Sequence, residues 1–299
     1  SHAVQTAEIM RRFEPILLER RPDIVMVVGD VNSTVACALV SAKLGVPVAH
    51  VEAGLRSFDR SMPEEVNRLV TDVLSDWLFV TEPSGVANLA REGVPNEKVH
   101  FVGNVMIDTL VACRQRIAAS AILDTLNLRP KEYAVLTLHR PANVDDPVTR
   151  QQLFRAIERI QREVPIVFPV HPRTRMAIQG PLIESMSNLS LVDPLGYLDF
   201  MKLVSDSRLV LTDSGGAQEE STFLGVPCLT MRENTERPVT VEQGTNLLVG
   251  NDPERIIAEG MRVLKDCPRQ TPPPTLWDGC AAKRILDILV RDRSAAQGS

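Results

Sequence analysis

Short apolar runs rich in β-branched residues alternate along the chain with longer segments whose apolar positions recur every three or four residues. The short runs predict strands, and the longer segments predict amphipathic helices. Residues 64–74 show the helical spacing most clearly, with apolar side chains at Val66, Leu69, Val70, Val73 and Leu74. A first series of predicted strands covers residues 24–28, 47–51, 77–80 and 99–102. A second series covers residues 133–138, 166–170, 189–192, 209–212, 227–231 and 246–249.

This alternation of strands and helices predicts an α/β fold with right-handed βαβ units and parallel sheets. We therefore expect two doubly wound, Rossmann-like domains, at residues 1–115 and 116–278, with a C-terminal helix at 279–299. The chain opens in a helical pattern, and no predicted strand precedes it. Because a doubly wound half is usually centred on its first strand, we expect the natural protein to begin upstream of this chain.

Composition narrows the functional class. The 299 residues are 44% hydrophobic, 24% charged and 4% aromatic, and the net charge is −5. A nucleic-acid-binding protein usually has a basic surplus and aromatic stacking residues, so we expect no nucleic-acid partner. No apolar run approaches the roughly 18 residues of a membrane span, and we expect no membrane partner. The five cysteines have neither disulfide-framework nor zinc-site spacing, so we expect free thiols in a reducing cytoplasm.

Three acidic residues follow predicted strands of the first series. Asp30 follows the first strand, Glu52 follows the second, and Glu64 begins the next helix. Ordinary structural roles are available to each: a helix cap for Asp30, an ion pair with Arg56 for Glu52, and a pair with Arg68 for Glu64. Because ligands of parallel sheets bind at the carboxyl ends of strands, however, all three are candidates for acid–base chemistry at one edge.

Two histidine–arginine pairs close strands of the second series. His139 and Arg140 follow one strand, and His171 and Arg173 follow the next. A single histidine is usually structural, but two such pairs at equivalent strand ends favour an anionic ligand.

A glycine-rich turn follows a later strand of the same series. Ser214, Gly215 and Gly216 lie between a strand and a helix, where backbone N–H groups can hold a phosphate. Glu220, about a turn further on, is a candidate acceptor for ribose hydroxyls. The turn is neither a GxGxxG nor a P-loop motif, and its alternative is a simple turn with solvated glutamates. Arg237 lies in the segment at 233–238. The polar composition of this segment by itself favours a solvated loop.

These features together predict a cleft between two domains. One wall has phosphate- and ribose-binding features, and the other has carboxylates. Such a cleft suits a nucleotide diphosphate sugar.

Four motifs carry a resemblance to a known family. They are HVEAGLR at 50–56, MPEEVNR at 62–68, DSGG with QEE at 213–220, and TERP at 235–238. In these motifs the chain resembles bacterial UDP-N-acetylglucosamine 2-epimerases of the non-hydrolysing type. The resemblance implies the GT-B architecture, with the final helix returning to the first domain, and a cytoplasmic homodimer that serves cell-surface polysaccharide biosynthesis.

The resemblance also implies a reaction. UDP leaves C1 of UDP-N-acetylglucosamine, C2 loses its proton to give 2-acetamidoglucal, and UDP re-adds with protonation of the other face, giving UDP-N-acetylmannosamine. Asp30, Glu52 and Glu64 would be the acid–base and charge-stabilising residues, with His171 near the departing diphosphate. No metal or other cofactor is implied. The implied substrate-binding residues are Arg68, His139, Arg140, Arg173, Ser214, Gly215, Gly216, Glu220 and Arg237.

Two departures from the family pattern stand out. The opening strand and a Gly-Thr-Arg-Pro-like loop that helps to hold UDP are absent from this chain. The usual His-Arg-x-Glu-Asn pattern reads HRPAN at 139–143, which removes any role for a glutamate at position 142. Three alternatives stay open: a hydrolysing epimerase that releases N-acetylmannosamine, a GT-B glycosyltransferase, and a non-catalytic UDP-sugar sensor.

Overall fold

A computed structural model describes residues 1–178, 181–266 and 271–297. The chain forms two compact units, one of residues 1–108 with 275–299 and the other of residues 109–274. The division between residues 108 and 109 falls inside the helix Val105–Ala118, which also contains the predicted domain boundary at residue 115. Among the residues described, no helix combines the length and the apolar character that a membrane span needs.

The first unit is built around a parallel sheet of four strands in the order β1-β2-β3-β4. All four strands predicted from the first series of apolar runs are confirmed, with ends that shift by one or two residues. The elements, in chain order, are α1 (His2–Arg20), β1 (Val25–Val28), α2 (Asn32–Lys43), β2 (Val48–Ala53), α3 (Pro63–Leu74), β3 (Trp77–Val80), α4 (Pro83–Arg91), a 3₁₀ helix (Asn96–Lys98), β4 (Val99–Phe101) and α5 (Val105–Ala118).

The second unit contains a parallel sheet of six strands in the order β10-β9-β8-β5-β6-β7, and the six predicted strands are confirmed. Its elements after α5 are α6 (Ile122–Thr125), β5 (Ala134–Thr137), α7 (Pro141–Val144), α8 (Pro147–Ile160), β6 (Ile166–Pro169), α9 (Pro172–Ala177), α10 (Pro181–Glu184), β7 (Leu189–Val192), α11 (Tyr197–Ser205), β8 (Leu209–Thr212), α12 (Gly215–Leu224), β9 (Cys228–Thr230), α13 (Val239–Glu242), β10 (Asn246–Leu248) and α14 (Pro253–Lys265).

The strand order of the second sheet reverses between β5 and β8. The chain runs outward from β5 to β7 on one side, then returns and runs outward from β8 to β10 on the other. Two apolar clusters, one on each face of the sheet, bury its strands. In such a sheet the connections after the two central strands diverge, which leaves a crevice at their carboxyl ends.

The C-terminal segment belongs to the first unit. Helix α15 (Ala281–Gln297) packs Ile285 against the sheet, and Asp108 accepts hydrogen bonds from the backbone of its first two residues. Trp277, just before this helix, donates to the Thr81 carbonyl oxygen. Gly103 has a φ of +88°, and a Cβ there would lie 2.1 Å from the Leu276 carbonyl oxygen, so only glycine allows this close approach.

Candidate functional site

In the first unit, Asp30 lies directly after β1 and pairs with a buried arginine from α3. The Asp30 carboxylate accepts hydrogen bonds from Nε and Nη2 of Arg68, at 3.0 and 2.7 Å. Asn67 donates its side-chain amide to the Asp30 backbone oxygen at 2.8 Å. The main chain and the side chain of Asp30 are therefore both held by α3, and about a quarter of the side chain is still exposed.

Glu52 lies at an irregularity of β2. The pairing with β3 shifts register between Val51 and Ala53, and Glu52 is the extra residue, with a φ of +74°. Its carboxylate oxygen comes within 3.9 Å of the position that a Cβ on Gly29 would occupy, next to Asp30. Bulges often redirect a side chain at a functional site, and a positive φ in a non-glycine residue is strained. The sequence predicted a site at this strand end, but it carried no signal for the bulge.

The two arginines considered as partners for Glu52 and Glu64 both pair with other carboxylates. Arg56 is buried against Asp72 and Glu92, at 2.7 Å from each. Arg68 pairs with Glu65 at 2.6 Å as well as with Asp30.

Glu65 is the structural member of the Glu64–Glu65 pair. It is buried, and it accepts hydrogen bonds from the backbone N–H groups of Ser57 and Phe58 and from the Ser57 hydroxyl. Glu64 instead lines a cavity of about 240 Å³ together with Asn32, Ser33 and Asn67. The structure thus places Glu64 on the open side of the helix start, near the residues that hold Asp30.

In the second unit, the crevice at the strand-order reversal is organised by Asp213, which directly follows β8. Its fully buried carboxylate accepts the backbone N–H groups of His139 and Arg140 and lies 2.9 Å from Nδ1 of His139. Burial alone would raise the pKa of Asp213, but the hydrogen bonds from His139 and Arg140 lower it below its usual value. The Asp213 carboxylate thus holds the loop after β5 against the end of β8.

The glycine turn forms the beginning of α12. Ser214 caps the helix by accepting from the N–H of Ala217, and Gly215 and Gly216 form its first turn. A Cβ on Gly215 would lie 2.7 Å from Nη1 of Arg237, so a side chain here would displace that guanidinium. First-turn N–H groups have no acceptor within their own helix, which makes this helix start suited to an anion.

A cluster of buried charges surrounds this helix start. The Glu236 carboxylate lies 2.6 Å from Arg237, 2.8 Å from Arg232 and 3.8 Å from Arg140. Arg237 also lies 2.9 Å from Glu219. The expectation of a solvated loop at 233–238 is wrong, because Glu236 and Arg237 are both buried. The guanidinium groups of these three arginines are donors that suit an anion bound nearby.

Glu220 is buried on the next turn of α12 and forms a hydrogen bond with Tyr197. Burial raises the pKa of this carboxyl to about 7, and the hydrogen bond from Tyr197 offsets part of the effect. The interpretation of Glu219 and Glu220 as solvated glutamates is therefore also wrong. A buried carboxyl with a polar partner is suited to accept hydrogen bonds from a ligand such as a ribose.

His171 and His139 line a separate cavity of about 210 Å³ at the ends of β5 and β6, together with Asp145 and Thr174. Both histidine side chains are exposed. The side chain of Arg173 lies outside the part of the chain that the structure describes. Within residues 1–178, 181–266 and 271–297, no group of three or more His, Cys, Asp and Glu side chains is arranged to hold a metal ion.

The sequence pattern of the UDP-N-acetylglucosamine 2-epimerase family matches residues 1–290. The chain belongs to this family. A UDP-N-acetylglucosamine 2-epimerase of Methanococcus maripaludis is 39% identical over 98% of this chain and 82% of its own length. A UDP-2,3-diacetamido-2,3-dideoxy-D-glucuronate 2-epimerase of Pseudomonas aeruginosa is 40% identical over 97% of this chain and 81% of its own length.

The fold of the family is equally clear from solved structures. The UDP-N-acetylglucosamine 2-epimerase of Methanocaldococcus jannaschii, in complex with UDP-N-acetylglucosamine and UDP, superposes with a TM-score of 0.90. It is 39% identical and is matched over 97% of this chain and 82% of that one. The predicted GT-B architecture of two parallel-sheet α/β domains is thereby confirmed.

Sequence reasoning missed several residues that shape both strand-end regions of this family member. Asn67 and Glu65 hold Asp30 and the loop after β2, and Tyr197 pairs with Glu220. Arg232 and Glu236 were detectable in principle, since an Arg and a Glu four residues apart directly follow β9. The others become visible only when helices pack against strands distant in sequence.

We expect the ionisation of Glu220 to make folding stability depend on pH. Its pKa is about 7 in the folded chain and near 4.5 in an unfolded one, so the folded state binds the proton more tightly. The stabilisation is complete below about pH 4.5 and is lost as the pH rises through 7, by roughly 3 kcal/mol. Urea unfolding between pH 5 and 8 should show this loss for the wild type and not for Glu220→Gln. The exposed Glu97→Gln serves as control, and parallel profiles for wild type and Glu220→Gln would contradict the assignment.

We also expect the backbone at position 52 to be strained. Glu52→Ala and Glu52→Gly both lose the carboxylate, but only glycine adopts a φ of +74° without steric cost. The free energy of unfolding should therefore be about 1 kcal/mol higher for Glu52→Gly than for Glu52→Ala. Chemical denaturation of the two variants side by side measures this difference. An alanine variant as stable as the glycine variant would mean that the bulge carries no strain.

Proposed function

We propose that this chain interconverts UDP-N-acetylglucosamine and UDP-N-acetylmannosamine by elimination and re-addition of UDP. The observation that carries the proposal is the set of carboxylates in the first unit: Asp30 fixed by Arg68, Glu52 held on a bulge beside Gly29, and Glu64 on a cavity wall. The relatives from Methanococcus maripaludis and Pseudomonas aeruginosa, both named as 2-epimerases of UDP-sugars, support the same chemistry.

The chemistry explains why several carboxylates are useful. C2 of the sugar is not next to a carbonyl group, so its proton is too weakly acidic for direct abstraction. Departure of UDP from C1 with the C1–O bond electrons makes C1 electron-poor, and a carboxylate then accepts the C2 proton as the C1–C2 double bond forms. Return of UDP to C1 and of a proton to the other face of C2 completes the epimerisation. Asp30, Glu52 and Glu64 are the groups we assign to these proton transfers and to charge stabilisation.

We assign the second unit to UDP. The first turn of α12 at Ser214, Gly215 and Gly216, with the guanidinium donors of the surrounding arginines, suits the diphosphate. Glu220 suits the ribose diol, and His139, Arg140, His171, Arg173 and Arg237 complete the proposed anion-binding set. Holding UDP while it is detached from the sugar favours its return over its loss, which supports the non-hydrolysing outcome.

The decisive experiment is proton NMR of UDP-N-acetylglucosamine incubated with the protein in deuterated water. We expect deuterium at C2 together with UDP-N-acetylmannosamine. Free N-acetylmannosamine with UDP would indicate the hydrolysing reaction, and UDP binding without exchange would favour a transferase or a sensor. Preferred turnover of UDP-2,3-diacetamido-2,3-dideoxy-D-glucuronate would assign the chain to the substrate of its Pseudomonas relative.

For Glu64→Gln we expect UDP affinity close to that of the wild type and a turnover that falls by about 10²- to 10⁴-fold, as for loss of an acid–base group. Glu254→Gln is a matched control, because Glu254 also follows a proline in the first turn of a helix and is exposed. Calorimetry with UDP and the C2 exchange rate measure the two effects. An equal loss of UDP affinity, or unchanged exchange, would remove Glu64 from the chemistry.

We further propose that the chain is a homodimer and that α3 forms the interface. This helix is polar on the face it buries, at Glu65, Asn67, Arg68, Thr71 and Asp72. Its exposed positions are Val66, Val70 and Val73, and Val73 is 79% exposed. A surface helix normally shows the opposite distribution, so this valine stripe suits an apolar partner surface. A second copy of the chain has the same stripe. A two-fold axis would bring the two stripes together in a self-complementary interface.

Val73→Lys should convert the dimer to a monomer, because a lysine in place of the most exposed valine of the stripe would be buried in the interface without a partner. Val148→Lys is the matched control, since Val148 is an exposed valine of α8 in the other unit. Analytical ultracentrifugation of the wild type and both variants measures the outcome. A monomeric wild type, or a Val73→Lys dimer of unchanged affinity, would contradict the proposed interface.

We place this activity in the cytoplasm and in the biosynthesis of cell-surface polysaccharides. The free thiols of Cys37, Cys113, Cys228 and Cys280 support a reducing compartment, while Cys267 lies outside the described residues.

A further inference from the structure

A fully buried histidine lies beneath the carboxylates of the first unit. His50 is on β2, two residues before Glu52, and its side chain has no exposed surface. Nδ1 lies 2.6 Å from the Asp72 carboxylate, and Nε2 lies 2.9 Å from the Gly29 carbonyl oxygen. Both neighbours are therefore oxygen atoms, and neither ring nitrogen faces a donor in these contacts.

These two contacts determine the charge of the ring. Asp72 also pairs with the buried guanidinium of Arg56 at 2.7 Å and accepts the N–H of Gly54 at 3.1 Å, so it is a carboxylate that only accepts. A carbonyl oxygen also only accepts. Both acceptors are satisfied together only if both nitrogens of His50 donate, that is, if the ring is an imidazolium.

The same contacts hold the backbone at both catalytic strand ends. Gly29, whose carbonyl oxygen accepts from His50, has a φ of +70° and directly precedes Asp30. Gly54, two residues after Glu52, donates its N–H to the other oxygen of Asp72 at 3.1 Å and has a φ of +79°. One buried ion pair thus connects the turn before Asp30 with the turn after Glu52.

We propose that His50, kept as an imidazolium by Asp72, is a positioning residue that sets the backbone of Asp30 and Glu52 for the proton transfers. It does not touch the substrate. The inference rests on the proposed function, since positioning has a consequence only where those carboxylates react.

The first test needs no variant. In a chain labelled with ¹⁵N-histidine, long-range ¹H–¹⁵N correlation at neutral pH should show both ring nitrogens of His50 protonated. The signal is assigned by its absence from His50→Gln, or by sequential backbone assignment if that variant does not fold. A neutral ring, with one unprotonated nitrogen, would overturn the inference.

The second test separates positioning from plain structural support. His50→Gln should lower kcat about 100-fold, the cost of a displacement of roughly 1 Å, while KM and the UDP dissociation constant change less than about threefold. His100→Gln is the matched control, because His100 is on β4 of the same sheet and packs against Phe79. It should keep kcat near that of the wild type.

The outcomes distinguish the inference from the proposed function. If the wild type exchanges deuterium at C2 and folded His50→Gln does so at the same rate, the inference fails and the proposed function stands. If His50→Gln and His100→Gln lose kcat equally, the role is general stability and the inference fails. If the wild type does not exchange, the proposed function fails, and a positioning role in that reaction fails with it.

Discussion

The hydrogen bond between the buried Asp72 carboxylate and the ring of His50 is the contact on which the first unit's site depends. Asp72 comes from α3, His50 from β2, and the carbonyl oxygen they hold from the end of β1. A charge out of water must be paired, so each member limits where the others lie. That requirement explains why α3 turns its polar face inward and leaves its valines exposed, contrary to the usual distribution on an amphipathic helix.

The second unit also contains a buried aspartate whose charge is paired. Asp213 is fully buried after β8, and it holds the loop after β5 through two backbone N–H groups and the ring of His139. In both units a buried aspartate and a histidine join loops that follow different strands. Glycines accompany both arrangements, since Gly29 and Gly54 take positive φ values and Gly215 leaves room for Arg237. Rigid strand ends of this kind are suited to hold reacting groups in fixed geometry.

The two units differ in charge, and this difference accounts for the proposed chemistry. The first unit has a partly exposed carboxylate at Asp30, and the second has several guanidinium groups around the start of a helix. Elimination of UDP needs groups that exchange protons with the sugar and groups that keep the departing diphosphate bound. Membership of the UDP-N-acetylglucosamine 2-epimerase family agrees with that division. The strain at Glu52 fits the same view, because a strained backbone persists only where the surrounding structure holds it.

The sequence by itself determined the ten strands, the parallel α/β class and the strand ends at which Asp30, Glu52, His139 and Ser214 lie. These follow from the periodicity of apolar residues and from the polar and glycine residues that bound each run, both of which are local properties. Only the tertiary structure decided which charges remote in sequence are paired: Arg56 with Asp72 and Glu92, Arg68 with Asp30, and Arg237 with Glu219. It also decided the bulge at Glu52 and the exposure of the α3 valines. Pairing energies depend on distance and burial, and packing between elements remote in sequence sets both.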